Sequence, residues 1–397
     1  MVIKDKAQQI ILLTGPFLPG KKFGGPLKSI LNLIDALGSD FEFKIVTCDR
    51  DLGSKKPYAD VEIGKWNYVK NNYVFYLPKI GYFISLYKIL KYEKYELIYC
   101  SSFWSKTTVI IQMLKYLGIV KTNVIVAPRG EFEPAALEIK AFKKKLFLFL
   151  YKLFLMQSNI VFTCTSEHDK KNIEKSLGKN IEIHIAGNIP DQKKIEFSER
   201  VKSKNILRIA TVSRICRIKN IKYSIDIIDR ISEKNKDFEK IIFHIYGHIE
   251  DRDYYEECKL SSENIIKRDS RIEILFKGSI EYNEVLKILS NYHIFLFPSK
   301  SENYGHVIHE AILAGCPVVI SDTTPWRGLE EKGIGYDIAL NNTEKFQKII
   351  SYFIDMDNDK YSEHKNNVYD YASLILNDKK SKFENINLIK SSISGQK

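Results

Sequence analysis

The sequence predicts an α/β protein of two doubly wound domains that face each other across a cleft. At 397 residues the chain is longer than a single hydrophobic core usually serves. Short apolar runs alternate with longer helical patterns, as in successive βαβ units. The alternation pauses over Gly187–Lys204, a charged stretch that contains Pro190. We therefore predict domains over residues 1–190 and 191–375, followed by a helical tail over 376–397.

The predicted strands are rich in Ile, Val, Phe and Tyr and do not alternate cleanly, which is typical of strands buried on both faces of a parallel sheet. In chain order they are Gln9–Thr14, Glu42–Thr47, Leu97–Ser101, Asn123–Pro128, Ile160–Thr165, Ile181–Ala186, Leu207–Val212, Lys240–Tyr246, Arg271–Lys277, Ile294–Pro298 and Pro317–Ser321. Ligands of such sheets bind at the carboxyl ends of the strands. The residues that follow each strand are therefore the candidates for function.

The composition limits the compartment and the partners. Lys and Arg outnumber Asp and Glu by 61 to 49, which indicates either a solvated basic surface or an anionic partner. Six cysteines lie far apart without a C-x-x-C pair, so we expect a reduced, intracellular chain without a structural metal. We expect neither a secretory signal at the start nor a transmembrane helix, because no apolar run is long enough.

A glycine loop follows the first predicted strand. Gly24 and Gly25 stand just before an amphipathic helix predicted over Leu27–Leu37. Two glycines let the backbone approach a ligand closely and adopt positive φ, although they also serve ordinary turns. The loop lacks the G-x-G-x-x-G and G-K-[ST] patterns, so it predicts neither a nicotinamide site nor a P-loop.

Two further segments of the first domain are candidates for contacts with a second substrate. Arg129 and Glu131 follow the strand Asn123–Pro128 and are either acceptor-binding residues or members of structural salt bridges. The segment Lys140–Leu155 combines a basic cluster with an aromatic and aliphatic helix. Such a helix either rests on an anionic membrane leaflet or packs into the core behind a charged first turn.

A pair of cations follows the first strand of the second domain. Arg214 comes after Leu207–Val212, and Lys219 follows five residues later, before a helix that starts at Ile221 with Asn220 as its N-cap. Arg offers a fork for phosphate oxygens and Lys a point charge, so the two could hold a diphosphate. Ordinary solvation of a loop is the alternative for these two residues.

Two acids, Glu302 and Glu310, flank the start of a helix after the strand Ile294–Pro298. Gly305 lies at that start, where a helix offers N–H groups to an anion, and Gly315 lies at its end. Eight helical residues span about 12 Å, more than the about 5 to 9.5 Å between paired carboxylates in glycoside hydrolysis. Unless they are two surface acids, they therefore contact opposite ends of an elongated ligand such as a nucleotide sugar.

These residues resemble a known family. The segments Glu302–Gly305 with Glu310-Ala311, Gly315–Val319 and Thr323–Trp326 are similar to the family 4 retaining glycosyltransferases, including those of bacterial polysaccharide, O-antigen and capsule assembly. The resemblance extends over essentially the whole chain and is strongest in its C-terminal half. It implies the GT-B fold, which consists of two Rossmann-like domains.

The resemblance also implies roles for individual residues. Glu310 would bind the ribose, and Glu302 would contact the transferred sugar. The catalytic residues would be Arg214, Lys219 and Glu302, and the donor would be bound by Gly24, Gly25, Tyr304, Gly305, His306 and Glu310. Many relatives carry a His where this chain has Arg129, so the role of that His does not carry over.

The implied reaction moves a sugar from a nucleotide-diphosphate donor to a hydroxyl of a lipid-linked glycan, with retention, during synthesis of a cell-surface polysaccharide such as lipopolysaccharide. We expect no cofactor and no metal, and we interpret Asp49-Arg50-Asp51 as a turn. The enzyme would work in the cytoplasm, peripherally on the inner face of the plasma membrane. Charge that develops on the leaving diphosphate would be stabilised by fixed cations.

Two other functions compete with this one. A nucleotide-sugar epimerase on the same fold would need acid and base groups over the sugar, and His306 and His309 are the nearest candidates. A nucleic-acid-binding protein is suggested by the net charge of +12. Because the sequence has no helix-turn-helix, zinc or RNA-binding signature, we expect no nucleic acid partner.

Overall fold

The computed structural model describes residues 8–20, 23–138, 141–154, 159–191, 199–234 and 237–395. The chain forms two compact units, Met1–Ile189 with Lys379–Lys397, and Pro190–Asp378. The final helix, which the sequence places in a separate tail, thus belongs to the first unit. Each unit is built on one sheet of mostly parallel strands. The α/β fold class predicted from the sequence is confirmed.

The first unit contains eight strands and most of the helices that cover them. Its strands are β1 (Gln8–Thr14), β2 (Phe41–Cys48), β3 (Trp66–Val69), β4 (Asn72–Leu77), β5 (Leu97–Ser101), β6 (Asn123–Val126), β7 (Ile160–Cys164) and β8 (Glu182–Ile185). Its helices before the linker are α1 (Gly25–Leu37), α2 (Tyr82–Tyr92), α3 (Lys106–Tyr116), α4 (Pro134–Glu138), α5 (Ala141–Phe154) and α6 (Glu167–Leu177). The strand order is β3-β4-β2-β1-β5-β6-β7-β8, and only β3 runs antiparallel to its neighbour.

The second unit has a sheet of six parallel strands. These are β9 (Ile206–Val212), β10 (Lys240–Tyr246), β11 (Ile272–Gly278), β12 (Ile294–Phe297), β13 (Val318–Ser321) and β14 (Gly335–Ile338). The helices are α7 (Ile221–Lys234), α8 (Arg252–Arg268), α9 (Val285–Leu289), α10 (His306–Leu313), α11 (Thr343–Asp355) and α12 (Asn358–Asn377). The chain then returns to the first unit as α13 (Lys380–Ser394).

Apolar periodicity explains why these helices cover the sheets. In α7, Ile221, Ile225, Ile228 and Ile231 recur at helical spacing and are all buried against the second sheet. In the first unit, α1 and α13 contribute to the apolar layer on one face of the sheet, and α2, α3 and α6 contribute to the other. Each sheet is therefore buried on both faces, which leaves the strand ends as the accessible polar edges.

The order of strands in the second sheet locates its ligand-binding edge. The order is β11-β10-β9-β12-β13-β14, so the chain starts at β9, adds two strands on one side and returns to the other side with β12. This is the Rossmann order, and ligands of such sheets bind at the carboxyl ends where the direction reverses. The reversal in the second unit lies between β9 and β12.

All the strands predicted from the sequence are present, but three were missed: β3, β4 and β14. The β3–β4 hairpin turns through Lys70 and Asn71, both with positive φ, at 43° and 64°. Such a turn is usually marked in sequence by Asn-Gly or Asp-Gly, and this one is not. Among the described residues, no helix is both long and apolar enough to cross a membrane.

Candidate functional site

The residues predicted from two separate motifs meet at the reversal point of the second sheet. β9 and β12 are parallel neighbours, with Phe295 beside Ala210, so the loops after them leave the sheet side by side. The two loops are bonded to each other, because the amide of Lys300 and the hydroxyl of Ser299 both donate to the carbonyl of Ile218, at 2.8 and 3.1 Å. The strand order that brings them together is not visible in the sequence.

Lys219 and Glu302 form an ion pair across these two loops. The ammonium of Lys219 donates to Oε1 of Glu302, and the two side chains are only 12% and 14% exposed. The hydroxyl of Ser299 lies 3.4 Å from the same oxygen, and the ammonium lies 5.5 Å from the centre of the Phe297 ring. The carboxylate and the ammonium are thus held in place by each other and are largely removed from water.

Arg214 lies at the more open side of the loop after β9. Its guanidinium pairs with Glu250, and both side chains are 40% exposed. Gly247 lies so near this loop that a Cβ on it would come within 1.7 Å of the carbonyl oxygen of Ser213. The amide of Ile215 donates to the carbonyl of His248 at 2.9 Å. The position of Arg214 is therefore set by backbone packing rather than by its own salt bridge.

Asn220, between the two cations and α7, adopts the left-handed conformation with φ 56°. It ends the single 3-10 turn Arg217–Lys219, and its carbonyl accepts from the amide of Tyr223 at 3.1 Å. Asn is one of the few residues that adopt this conformation readily. The predicted helix does begin at Ile221. Asn220 precedes it in the left-handed conformation and not in the extended conformation that is usual for an N-cap residue.

Gly305 precedes α10 with φ 76°, as a residue without a Cβ can do at little cost. A Cβ there would lie 2.8 Å from Cδ1 of Ile308, so the turn is also tightly packed. The indole of Trp326 donates to the carbonyl of Tyr304 at 2.6 Å, and its ring stacks on that of His309. Burial raises the pKa of the Tyr304 hydroxyl. The aromatic rings therefore fix the loop at the N-terminus of α10.

Glu310 lies inside α10 and is only 6% exposed, and His309 beside it is fully buried. Glu302 lies before the helix and is paired with Lys219. The interpretation of Glu302 and Glu310 as two surface acids of one helix is therefore wrong. Burial of a charged carboxylate is unfavourable unless the group is paired and hydrogen-bonded.

Sequence reasoning missed the polar residues that hold the loop after β12. The carbonyl of Ser299 accepts from the hydroxyls of Ser321, the last residue of β13, and of Thr323, which follows that strand. Thr323–Trp326 was noticed as part of a motif, but the motif gives no indication of these bonds. They position the loop that carries Glu302, and a run of hydroxyl residues directly after a buried strand is the signal that could have revealed them.

In the first unit, Gly24 and Gly25 begin α1. Gly24 has φ 63° and ψ −132°, a conformation available in practice to glycine alone, while a Cβ on it would touch nothing within 4 Å. Its backbone conformation, and not close packing, therefore requires glycine. The structure places this turn after β1, as the sequence predicts. The donor contacts of Gly24 and Gly25 stay predictions.

Arg129 follows β6 with a positive φ of 51°, which is uncommon for a residue with a side chain. Its guanidinium donates to Oγ of Ser101 and Oδ1 of Asn188, both at 2.9 Å, and it lies 3.4 Å from the hydroxyl of Tyr99. Arg129, Asn188 and Tyr99 border a cavity of about 20 Å³, enough for roughly one water molecule. Arg129 thus links the ends of several strands, and its acceptor role stays a prediction.

Glu131 is bound differently. Its carboxylate accepts from the hydroxyl of Ser102 at 2.6 Å and from the amides of Phe103 and Trp104. Burial raises the pKa of Glu131, although these bonds oppose the shift. Arg129 and Glu131 are therefore each held by their own partners and not by an ion pair with each other.

The segment Lys140–Leu155 forms α5 over its described residues, and its two end residues lie outside the described part of the chain. Tyr151 is the one buried side chain among the residues of α5. The exposed apolar side chains recur at helical spacing along one face: Phe142, Leu146, Phe149, Leu150, Leu153 and Phe154. Phe147, Leu148 and Tyr151 pack against the core, so α5 is a surface helix with one packed face and not a helix that is buried on all sides.

Residues 191–372 match the family model "Glycosyl transferases group 1". The matched segment lies in the second unit, which carries Arg214, Lys219, Glu302 and Glu310. An uncharacterized 41.2 kDa protein in the cps region of Klebsiella pneumoniae is 24% identical over 247 residues, which cover 60% of this chain and 64% of that protein. The chain thus matches slightly less than two thirds of that relative's length.

Solved structures similar to the whole chain are glycosyltransferases and sugar-phosphate synthases. Anabaena Alr3699/HepE in complex with UDP and glucose superposes with a TM-score of 0.67 at 16% identity, over 98% of this chain and 100% of that one. Trehalose-6-phosphate synthase OtsA gives 0.71 at 11% identity, over 97% and 99%. WaaG, a glycosyltransferase involved in lipopolysaccharide biosynthesis, gives 0.62 at 13% identity, over 92% and 95%. The chain therefore has the GT-B fold, and its second unit matches the glycosyl transferases of group 1.

Proposed function

We propose that the protein is a retaining glycosyltransferase of family 4 that moves a sugar from a nucleotide-diphosphate donor to a hydroxyl of a glycan in cell-surface polysaccharide synthesis. The observation that carries the proposal is the meeting of Lys219 and Glu302 at the reversal point of the second sheet, next to the start of α10. The match of residues 191–372 to group 1 supports the reaction class.

Several relatives support the choice of substrates. HepE was solved with UDP-glucose, and a trehalose-6-phosphate protein from E. coli was solved with UDP-2-fluoro glucose, so a nucleotide sugar suits this fold. The relative in the Klebsiella cps region and the role of WaaG in lipopolysaccharide biosynthesis support a surface polysaccharide as the product. A lipid-linked acceptor is the further part of the proposal.

In the proposed donor complex, the second unit holds both ends of the nucleotide sugar. The ammonium of Lys219 has three donors, so it can bind a phosphate oxygen while it remains paired with Glu302. Arg214 binds the diphosphate from the same loop, and the N-terminus of α10 adds its N–H groups. Glu310 accepts from the ribose hydroxyls, and the Glu302 carboxylate contacts the sugar.

The reaction that we propose occurs on one face of the sugar. The bond from the anomeric carbon to the phosphate oxygen breaks, the bond to the acceptor oxygen forms on the same side, and the acceptor proton passes to the leaving phosphate. Glu302 is a poor nucleophile, because its carboxylate is already engaged by Lys219. The protein contributes orientation and stabilisation of the charge on the leaving group.

Two fixed cations at the diphosphate can supply the charge that a metal ion often supplies to phosphate leaving groups. We therefore propose transfer without a metal or an organic cofactor. Addition of EDTA should leave the rate of transfer unchanged. A rate that falls with EDTA and recovers with Mg²⁺ would show that the cations are not sufficient.

The decisive test is a binding screen with UDP, GDP and their sugars, followed by NMR of the reaction products. We expect one nucleotide to bind and the product to keep the anomeric configuration of the donor. Incubation of the donor without acceptor tests the epimerase alternative, because an epimerase would convert the donor alone. Absence of nucleotide binding, or an inverted product, would contradict the proposal.

We further propose that α5 places the enzyme on the anionic inner face of the plasma membrane. Its apolar face is exposed, with Phe142 at 80%, and Lys143, Lys145 and Lys152 are exposed on the same helix. An interfacial helix combines such an apolar face with basic residues that are attracted to anionic lipids.

Flotation with vesicles tests this orientation. Wild type should float with vesicles of phosphatidylcholine and phosphatidylglycerol at low salt, and Phe149→Ser with Leu153→Ser should reduce that binding. Met113→Ser, an exposed apolar residue of α3, is the matched control. Equal flotation of all variants, or none by wild type, would exclude α5 as the membrane contact.

A further inference from the structure

The first unit contains a second pocket, which is lined by charged and apolar residues and lies apart from the site residues predicted from the sequence. It measures about 660 Å³, within the roughly 300 to 1,000 Å³ of small-molecule sites. Its walls come from the carboxyl ends of β2 and β4 and from the first residues of α2 and α3. The pocket therefore lies at the sheet edge where ligands of α/β folds bind.

The lining of this pocket is strongly cationic. Four basic residues border it, and one acid does: Arg50, Lys55, Lys79 and Lys106, with Asp49. Asp49 is used within the wall, because Arg50 holds its carboxylate through two bonds of 2.7 and 2.8 Å. Arg50 also donates to the carbonyl of Lys55 at 2.7 Å. The Asp49–Arg50 pair thus shapes the loop and leaves the lysines to set the charge.

Lys55, Lys79 and Lys106 have exposed side chains, and within the described part of the chain none of them forms an ion pair. The Nζ atom of Lys106 lies 4.4 Å from the centre of the Tyr82 ring, whose hydroxyl is bonded to Thr107. Three uncompensated ammonium groups around one concave site repel each other. A bound anion relieves this repulsion.

We propose that this pocket binds a phosphate group of the acceptor substrate. Lysine ammonium groups bind phosphate oxygens as point charges, and three of them border one site. Ser54 also lines the pocket, and its hydroxyl is bonded to the backbone of Lys56. The inference rests on the proposed function only in assigning the phosphate to the acceptor of a glycosyl transfer.

The rim of the pocket shows which molecule carries the phosphate. Lys79 and Tyr82 line the pocket, and an exposed apolar stripe begins between them and continues along α2: Ile80, Phe83, Ile84 and Tyr87. Ile80, in the turn before α2, is 91% exposed, and the spacing of Phe83, Ile84 and Tyr87 places these three on one helical face. A phosphate attached to an apolar chain would contact both the lysines and the stripe. The acceptor phosphate is therefore that of a lipid-linked glycan.

Four probes separate the contribution of the phosphate charge from that of an apolar chain. They are glucose 6-phosphate and farnesyl phosphate, with glucose and farnesol as their uncharged counterparts. Calorimetry at low ionic strength should show binding of both phosphates and tighter binding of farnesyl phosphate. Lys79→Glu with Lys106→Glu should weaken both by about tenfold or more, the effect of losing hydrogen bonds to a charged group. Phe83→Ser with Ile84→Ser should weaken farnesyl phosphate alone.

A matched control makes the same change of charge at the opposite edge of the sheet, where the strands begin. Lys94→Glu with Lys121→Glu places the substitutions before the amino ends of β5 and β6, and should leave binding of both probes unchanged. Absence of phosphate binding, or equal losses in the control and pocket variants, would overturn the site. Binding of glucose 6-phosphate that is as tight as that of farnesyl phosphate would overturn the lipid-linked source.

Nucleotide binding, measured on the same protein, keeps this inference separate from the proposed function. A protein that binds both phosphate probes but no UDP or GDP contradicts the glycosyltransferase and leaves the pocket in place. A protein that binds a nucleotide but neither phosphate probe contradicts the pocket alone.

Discussion

The two units share a sheet topology in which the chain reverses direction, yet their polar strand ends are organised in opposite ways. In the second unit, Lys219 is nearly buried and paired with Glu302 across two loops. In the first, Lys55, Lys79 and Lys106 are exposed around an open pocket and form no ion pair with any residue that the structure describes. The paired site has its charges fixed before a ligand binds, whereas the open one leaves strong charge for a ligand to neutralise.

The largest effect is expected when a cation of the candidate site in the second unit is removed. Arg214→Ala should lower kcat by about 100- to 1,000-fold, because a fixed group that stabilises developing charge typically contributes that much. Donor affinity should change less. Steady-state rates with saturating donor measure the effect. Lys222→Ala is the control, since Lys222 is paired with Asp226 on α7, and a loss of similar size in that variant would remove the special role of Arg214.

A smaller effect is expected at Glu310, which we propose to bind the ribose of the nucleotide donor. Glu310→Ala should weaken nucleotide binding by about 10- to 100-fold through loss of a charged acceptor for the ribose hydroxyls. Calorimetry with the nucleotide found in the screen measures this loss. Glu330→Ala, an exposed acid paired with Lys345 at 3.1 Å, should bind as wild type does. If Glu310→Ala also binds as wild type does, the buried acid has a structural role only.

A double-mutant cycle measured on the free energy of unfolding tests whether the nearly buried Lys219–Glu302 pair is coupled more strongly than an exposed pair. Lys219→Met or Glu302→Gln alone should lower the free energy of unfolding by about 2 kcal/mol, because the remaining partner is left poorly solvated. The double variant should lose less than the sum, with a coupling of about 1 to 2 kcal/mol. Urea denaturation measures all three variants.

The Arg214–Glu250 pair provides the matched cycle, since both of its side chains are 40% exposed. Its coupling should stay below about 1 kcal/mol, as for most surface pairs. Equal coupling in the two cycles would show that the Lys219–Glu302 pair is not distinguished by its burial.

The same contrast explains what the sequence could and could not predict. Arg214, Lys219, Glu302 and Glu310 each lie within a short motif that follows a buried strand, so the residues of the candidate site could be named from the sequence. Their pairing depends on β9 lying beside β12, and strand order is a property of the folded sheet. The fold class followed from apolar alternation, but the β3–β4 hairpin has no glycine turn signal and was missed.

The pocket of the first unit lay beyond sequence reasoning for a related reason. Its lysines come from three places that are separated along the chain, the loops at Lys55 and Lys79 and the start of α3 at Lys106, and each of them resembles an ordinary surface lysine. The sequence also left open whether α5 is exposed, because an aromatic and aliphatic helix is usually buried. Only the packing of the sheet showed which apolar faces were covered.

The smallest expected effect is on the free energy of unfolding when lysines of the pocket in the first unit are replaced. Lys79→Glu with Lys106→Glu should change the free energy of unfolding by less than about 1 kcal/mol, because neither lysine forms an ion pair among the described residues and the substitutions relieve mutual repulsion. Any change should be toward greater stability, and it should diminish as salt screens the charges. Urea denaturation at low and high salt measures it. A loss comparable to that of Lys219→Met would mean that these lysines support the fold, and the contrast between the two units would then fail.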